Sequence, residues 1–279
     1  MRLAITGYKG QLGHAFQHVF AGHEWLLMDV PEHDITNRAA IGRALIEFVP
    51  DVVIHGAAYT NVDGCARDPD TAYRVNALGT QNVALACQQT GAALVYLSTN
   101  EVFDGEASEP YLEFDRTHPI NAYGRSKCAG EAFVRMLLAR FYIVRTAWMF
   151  GPTGTHFVKK IVQAADERGK LSVVTDEISS PTYAPDLAAA VAQLVQTGAF
   201  GVYHFTNGGV CSRYDFAVEI LKQTGRGRTP VEPITLDAYP RASQPPRYAP
   251  LRNFCGAAQG IVLRPWAEAL EEYLRVEPL

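Results

Sequence analysis

No stretch of this 279-residue sequence approaches the roughly 18 uninterrupted apolar residues of a membrane-crossing helix. The first residues, MRLAITGYKG, lack the charged-then-apolar order of a secretory signal. A soluble cytosolic protein is the expectation. Cysteine is scarce. Cys65, Cys87, Cys128, Cys211 and Cys255 are an odd set with no short metal-type spacing, so buried free thiols are expected rather than ligands or disulfides. Nor does one sign of charge dominate: 25 basic and 29 acidic residues are interspersed and sum to −4, leaving no basic stripe to follow a phosphate backbone. Neither nucleic acid nor a membrane is an expected partner, and no internal repeat is apparent.

What is present is a large apolar fraction, 48%, enough to bury a substantial core. Strand-like runs (RLAIT, EWLLMDV, DVVIHGAA, ALVYLST, FYIVRTAW) alternate with helical patterns, among them AAIGRALIEF and one long helix through VNALGTQNVALACQQTG. That alternation predicts an α/β fold, a doubly wound parallel sheet of the Rossmann type. After Phe150 the rhythm loosens into short strands, helices and Pro-rich connections. Residues 1–150 are therefore read as a dinucleotide-binding domain to which some later segments return, and 151–279 mainly as a smaller C-terminal substrate-binding lobe. The Pro-dense PITLDAYPRASQPPRYAP is expected to be a loop tied to that lobe.

The segment ITGYKGQLGHAF sets Gly7, Gly10 and Gly13 between the first strand and the first helix. Glycines there let the backbone turn tightly and approach a pyrophosphate, whose charge the helix-start N–H groups hold. Asp29, about 20 residues on at the end of the second strand, is placed to bond an adenosine ribose. The cofactor is then NADH or NADPH: Asp29 suits the free diol, whereas Lys9 could pair with a 2′-phosphate.

The segment STNEVFDGEASEPYLEFDRTHPINAYGRSK ends one strand and opens the next helix. With Asn121 as N-cap, Tyr123 and Lys127 fall one turn apart on one helical face. In such a sheet, Thr99 at the strand end and Tyr123 at the helix start both point to the ligand crevice. Carbonyl reduction needs a proton donor at oxygen. A phenol can serve if a cation such as Lys127 lowers its pKa, while the Thr99 hydroxyl holds the carbonyl oxygen. Of the histidines, His14 and His18 are read as a solvated helix face and His55 as a satisfied core residue.

These residues resemble the extended short-chain dehydrogenase/reductase family, and within it the dTDP-4-dehydrorhamnose reductases. The likeness runs through TGYKGQLG, HGAAYTNVD, STNEVFDG, NAYGRSKCAGE, VRTAWMFG, SSPTYAPDLA, VYHFTN and PRASQPPRYAPL. It implies NAD(P)H-dependent reduction of the 4-keto group of dTDP-4-dehydro-6-deoxy-L-mannose to dTDP-L-rhamnose, with Thr99, Tyr123 and Lys127 catalytic. Cofactor contacts are implied from the glycine loop with Gln11 and Leu12, from Asp34 and Ile35, and from Ala57, Ala58 and Tyr59, together with Tyr123 and Lys127. Val62, Asn100, Glu101 and Trp148 match positions that line the sugar site. The usual Ser-Thr-Asp-Tyr-Val-Phe reads STNEVF here, so Asn100 and Glu101 replace an Asp and a Tyr. His156 stands where members often carry Asn, and Ala15 where some carry the Glu of a metal-bridged dimer. Monomer and homodimer both remain open. The alternatives are a related nucleotide-sugar ketoreductase or epimerase, and a non-catalytic regulatory subunit like the β subunit of methionine adenosyltransferase.

Overall fold

The computed structural model describes residues 1–279. Five short aliphatic runs form strands β1 (Arg2–Thr6), β2 (Glu24–Met28), β3 (Val52–His55), β4 (Ala93–Thr99) and β5 (Phe141–Thr146). Between them lie α1 (Gln11–Val19), α2 (Arg38–Phe48), α3 (Val62–Arg67), α4 (Pro69–Tyr73), α5 (Thr80–Thr90) and α6 (Ala122–Leu137). Next come β6 (Met149–Phe150), α7 (Phe157–Arg168), β7 (Leu171–Val174), β8 (Ile178–Ser179), β9 (Thr182–Tyr183), α8 (Ala184–Thr197) and β10 (Gly201–His204). The chain closes with β11 (Cys211–Ser212), α9 (Arg213–Gln223), β12 (Val231–Ile234), α10 (Cys255–Ala258) and α11 (Trp266–Val276).

The central sheet is parallel throughout, in the order β10-β5-β4-β3-β1-β2. All seven residues of β4 are buried, as a parallel strand covered on both faces requires. On one face Phe16 of α1 and Leu187 and Val191 of α8 pack on Ile5, Val95 and Val144. On the other, Ile41, Leu45, Val83 and Val134 from α2, α5 and α6 pack on Ala4, Val53, Leu94 and Ile143. Each Val, Leu, Ile or Phe among them contributes about 1.5–3 kcal/mol by leaving water. A separate cluster, with Phe150, Val162, Phe216, Ile220, Leu270 and Tyr273, forms the core of the later segments. Chain order reverses on either side of β1, which opens a crevice at the carboxyl ends of the strands.

Two details depart from the expected pattern. Arg74–Gly79 is a π-helical turn ahead of α5 rather than part of one long α-helix. The Asn76 side chain reaches out of it, accepting from the Tyr59 amide at 2.7 Å and donating to Ser126 Oγ at 3.0 Å. The α6 backbone at Gly130 is also so near that a Cβ would stand 2.8 Å from the Asn76 carbonyl. The Pro-dense segment, in turn, is not all loop: it is tied to the later part of the chain, as expected, and also reaches the first half. Val231–Ile234 pairs with β7, while Arg241 Nε and the Ser243 amide both donate to Asp63 Oδ1, at 3.3 and 2.9 Å.

All five cysteines are free. Cys65, Cys87 and Cys211 are buried as expected, whereas Cys128 and Cys255 are only half-buried. His14 and His18 lie on the exposed face of α1. His55 is a satisfied core residue between Thr6 Oγ1 at 2.7 Å and Thr80 Oγ1 at 3.0 Å, and burial lowers it to about 3. No helix is long and apolar enough to cross a membrane.

Candidate active site

The three glycines of the first turn have different reasons to be glycine. Gly7 has φ 76°, and a Cβ there would stand 2.8 Å from the Ala57 amide nitrogen. Gly13 abuts the Tyr8 backbone with no space for a Cβ. Gly10 is the N-cap of α1 and meets only the Gly7 carbonyl, at 3.3 Å, so it leaves the helix start open to an anion. Asp29, just beyond β2, ties the turn together: Oδ2 accepts from the Lys9 amide at 3.1 Å and Oδ1 from the Val30 amide at 2.8 Å. Lys9 Nζ donates back to the Val30 carbonyl at 3.2 Å.

Beside this turn a cavity of about 1260 Å³ runs along the carboxyl ends of the strands. Gln11, Leu12 and Ala58 line it; Gly7, Lys9, Gly10, Gly13, Asp29, Asp34, Ile35, Ala57 and Tyr59 stand outside its wall. Asp34 Oδ1 is occupied by the Thr36 amide and hydroxyl, both at 2.8 Å. Ile35 is a core residue packed against Gly79.

Thr99, Tyr123 and Lys127 all line the cavity. Thr99 ends β4 opposite Thr146 of β5, and its Oγ1 accepts from the Glu101 amide at 3.2 Å, capping a short 3-10 turn over Asn100–Val102. Asn121 caps α6 as expected, its Oδ1 accepting from the Gly124 amide at 2.8 Å. Gly124 lies so close to the Glu101 carbonyl that no Cβ fits, and this contact sets the start of α6 against the strand end. Lys127 is buried, with Nζ 4.2 Å from the Tyr96 ring centroid. Burial lowers it to about 7, opposed by the Glu131 carboxylate one turn on. Glu131 is itself held by Arg145 at 2.9 and 2.7 Å and by Ser98 Oγ at 2.6 Å. Burial pushes the Tyr123 phenol up, the Glu101 carboxylate adds to the rise, and the Thr99 hydroxyl opposes it.

The four positions matched to the sugar site also border the cavity. Val62 opens α3. Asn100 is buried and already engaged, donating to Ser179 Oγ and the Ala249 carbonyl at 3.1 Å each. Glu101 is half-buried, and Asn121 Nδ2 donates to its Oε2 at 2.6 Å. Enclosure pushes this carboxyl up to about 7; Glu177 raises it further, while Asn121, Arg241 and Arg213 pull the other way. Trp148, after β5, has φ 43° and lies against Arg213.

Sequence reasoning passed over Glu177, Arg213 and Arg241, which face Glu101 from the later half of the chain, and Lys160, Arg168 and Lys170 farther along the wall. They come from separate segments and share no spacing. Only Arg213 carried a local sign, its place directly after the Ser212 cap of α9.

Comparison with known proteins places this geometry among sugar-nucleotide reductases. The chain is 39% identical over 277 residues to a dTDP-4-dehydrorhamnose reductase of Mycolicibacterium smegmatis, covering 97% of this chain and 84% of that protein. A crystal structure of a dTDP-4-dehydrorhamnose reductase from Clostridium acetobutylicum superposes with a TM-score of 0.97 at 42% identity, over the full length of both chains. The Bacillus anthracis reductase, solved in complex with NADP, gives 0.95 at 39% identity over 99% of each chain. Residues 1–277 match the family described as RmlD substrate binding domain, and the chain belongs to that family.

Proposed function

We propose that the protein is an NAD(P)H-dependent oxidoreductase that reduces the 4-keto group of dTDP-4-dehydrorhamnose to give dTDP-L-rhamnose. The observation that carries this reading is the convergence of Thr99, Tyr123 and Lys127 on one cavity that reaches Gln11 and Leu12 at the glycine turn. Relatives of nearly full length bear the same reductase name. The cofactor, NADPH or NADH, supplies hydride when bound. Gly7, Gly10 and Gly13 would hold its pyrophosphate at the start of α1. Tyr123 donates a proton to the C4 oxygen, Thr99 orients that oxygen, and Lys127 supplies the positive charge beside them. The later half of the chain, 151–279, acts mainly as the sugar-facing lobe, since Glu177, Arg213 and Arg241 enter the cavity from it.

The test is loss of NADPH absorbance on addition of dTDP-4-dehydro-6-deoxy-L-mannose, with dTDP-L-rhamnose identified as product. Absence of turnover with either cofactor would instead support the regulatory-subunit alternative. Tyr123→Phe keeps the ring and removes the proton, so turnover should fall by on the order of 10²-fold with cofactor affinity unchanged. A folded Tyr123→Phe protein working at the parent rate would show that another group supplies the proton.

A further inference from the structure

Trp148 adopts a backbone conformation that its own side chain disfavours. Its φ of 43° lies in the left-handed region, where a bulky residue is an outlier. Residues of this kind persist only where their surroundings over-determine them, and they gather at ligand clamps. One support is the backbone, since the Thr182 amide donates to the Trp148 carbonyl at 3.3 Å.

The second support is Arg213. Its guanidinium carbon sits 3.7 Å from the centroid of the Trp148 ring. Arg213 is in turn fixed at both ends to one residue: its Nε donates to Glu177 Oε1 at 2.9 Å, and its amide donates to the Glu177 carbonyl at 3.0 Å. Phe157 flanks the same guanidinium at 5.0 Å. A planar, weakly hydrated cation is suited to such stacking, and a lysine ammonium would give neither the flat face nor the directed Nε bond. Trp148 follows β5 of the central sheet, whereas Arg213 opens α9 and Glu177 precedes β8. The stack therefore joins the two halves of the chain at the cavity wall.

We propose that Arg213 is a positioning residue: anchored by Glu177, it fixes the Trp148 indole as the wall against which the sugar ring is held. This rests on the nucleotide-sugar reading of the cavity. It assigns Arg213 no contact with the reacting atoms, so its loss acts on substrate capture and leaves proton donation to Tyr123.

The test compares Arg213→Leu and Arg213→Lys in a Trp25→Phe/Trp266→Phe background, where Trp148 is the sole remaining tryptophan. In both variants acrylamide quenching of Trp148 should increase. KM for the nucleotide sugar should rise about tenfold, in keeping with loss of a partly desolvated stack, while kcat stays within about threefold and NADPH affinity is unchanged. If Arg213→Leu does not fold, as judged by circular dichroism, Arg213→Lys carries the same test. Quenching and KM both at parent values would overturn the assignment. So would a fall in kcat with KM unchanged, which would put Arg213 in the chemistry itself. Quenching needs no turnover, so a protein inactive towards the sugar refutes the reaction while quenching still decides the clamp.

Discussion

Glu101 stands two residues beyond Thr99, and its carboxyl shares the cavity with Glu177, which raises it, and with Arg213 and Arg241, which oppose the rise. Enclosure is the largest influence, lifting it from the ordinary 4.5 to about 7. The folded protein thus binds this proton more tightly than the unfolded chain does. Parent stability therefore falls as pH rises from about 4.5 to about 7, and the whole penalty is present above that range. Glutamine does not titrate and can still accept from Asn121. Glu101→Gln should accordingly gain stability relative to the parent through this window and level off beyond it. The gain should reach up to about 2 kcal/mol, after allowance for the carboxyl's partial access to solvent. Urea denaturation at a series of pH values measures it; a difference independent of pH would mean that enclosure does not raise the Glu101 carboxyl above its unfolded value.

At the scale of elements, the strand–turn–helix at the amino terminus shows how a side chain read as a ligand contact can also be a structural one. By its place after β2, Asp29 suits the ribose diol of NADH, while Lys9 could pair with the 2′-phosphate of NADPH. Its two oxygens, however, hold the Lys9 and Val30 amides, and hence the shape of the turn that presents Gly10. Asp29→Ala should consequently weaken NADH and NADPH alike, each on the order of tenfold, as loss of two bonds to a carboxylate would. Calorimetric titration with both cofactors distinguishes the readings, since a loss confined to NADH would return Asp29 to the ribose alone. The same contrast marks what the sequence could disclose. Elements with many residues of one period were legible: β4, α6 with its Asn121 cap, and the glycine turn. The two-residue strands β6, β8, β9 and β11 were not, because each exists only through its partner strand. The π turn at Arg74–Gly79 was hidden for a related reason, being set by Tyr59, Ser126 and Gly130 at distant positions. In the site, Thr99, Tyr123 and Lys127 could be singled out from local order. Glu177, Arg213 and Arg241 meet Glu101 only after the later half of the chain has folded over the crevice.

Across the whole molecule, one buried polar chain links these parts. Arg145 of β5 grips Glu131 of α6 with two hydrogen bonds, and Ser98 of β4 donates to the same carboxylate. Arg145 Nη1 meets His204 Nε2 of β10 at 3.3 Å, and His204 Nδ1 faces the Tyr111 carbonyl at 3.0 Å. With Nδ1 protonated towards that carbonyl, Nε2 accepts from the arginine, and burial lowers the imidazole to about 3, so it stays neutral. The enclosed pair is thus one positive and one negative charge, with the part-exposed Arg135 making a further contact to Glu131 Oε2 at 3.6 Å. Removing one partner leaves the other unpaired, so Glu131→Gln should destabilise the fold by about 3–5 kcal/mol. It should also act on the site. The Glu131 carboxylate raises the proton affinity of Lys127, which burial has already lowered to about 7. Without that charge Lys127 gives up its proton at a lower pH, and the alkaline limb of the kcat/KM profile should move to lower pH. Urea denaturation and a pH–rate profile of the same variant separate the two effects: a stability loss with the limb unmoved would leave Glu131 a structural role alone, and the assignment of the alkaline limb to Lys127 would fall.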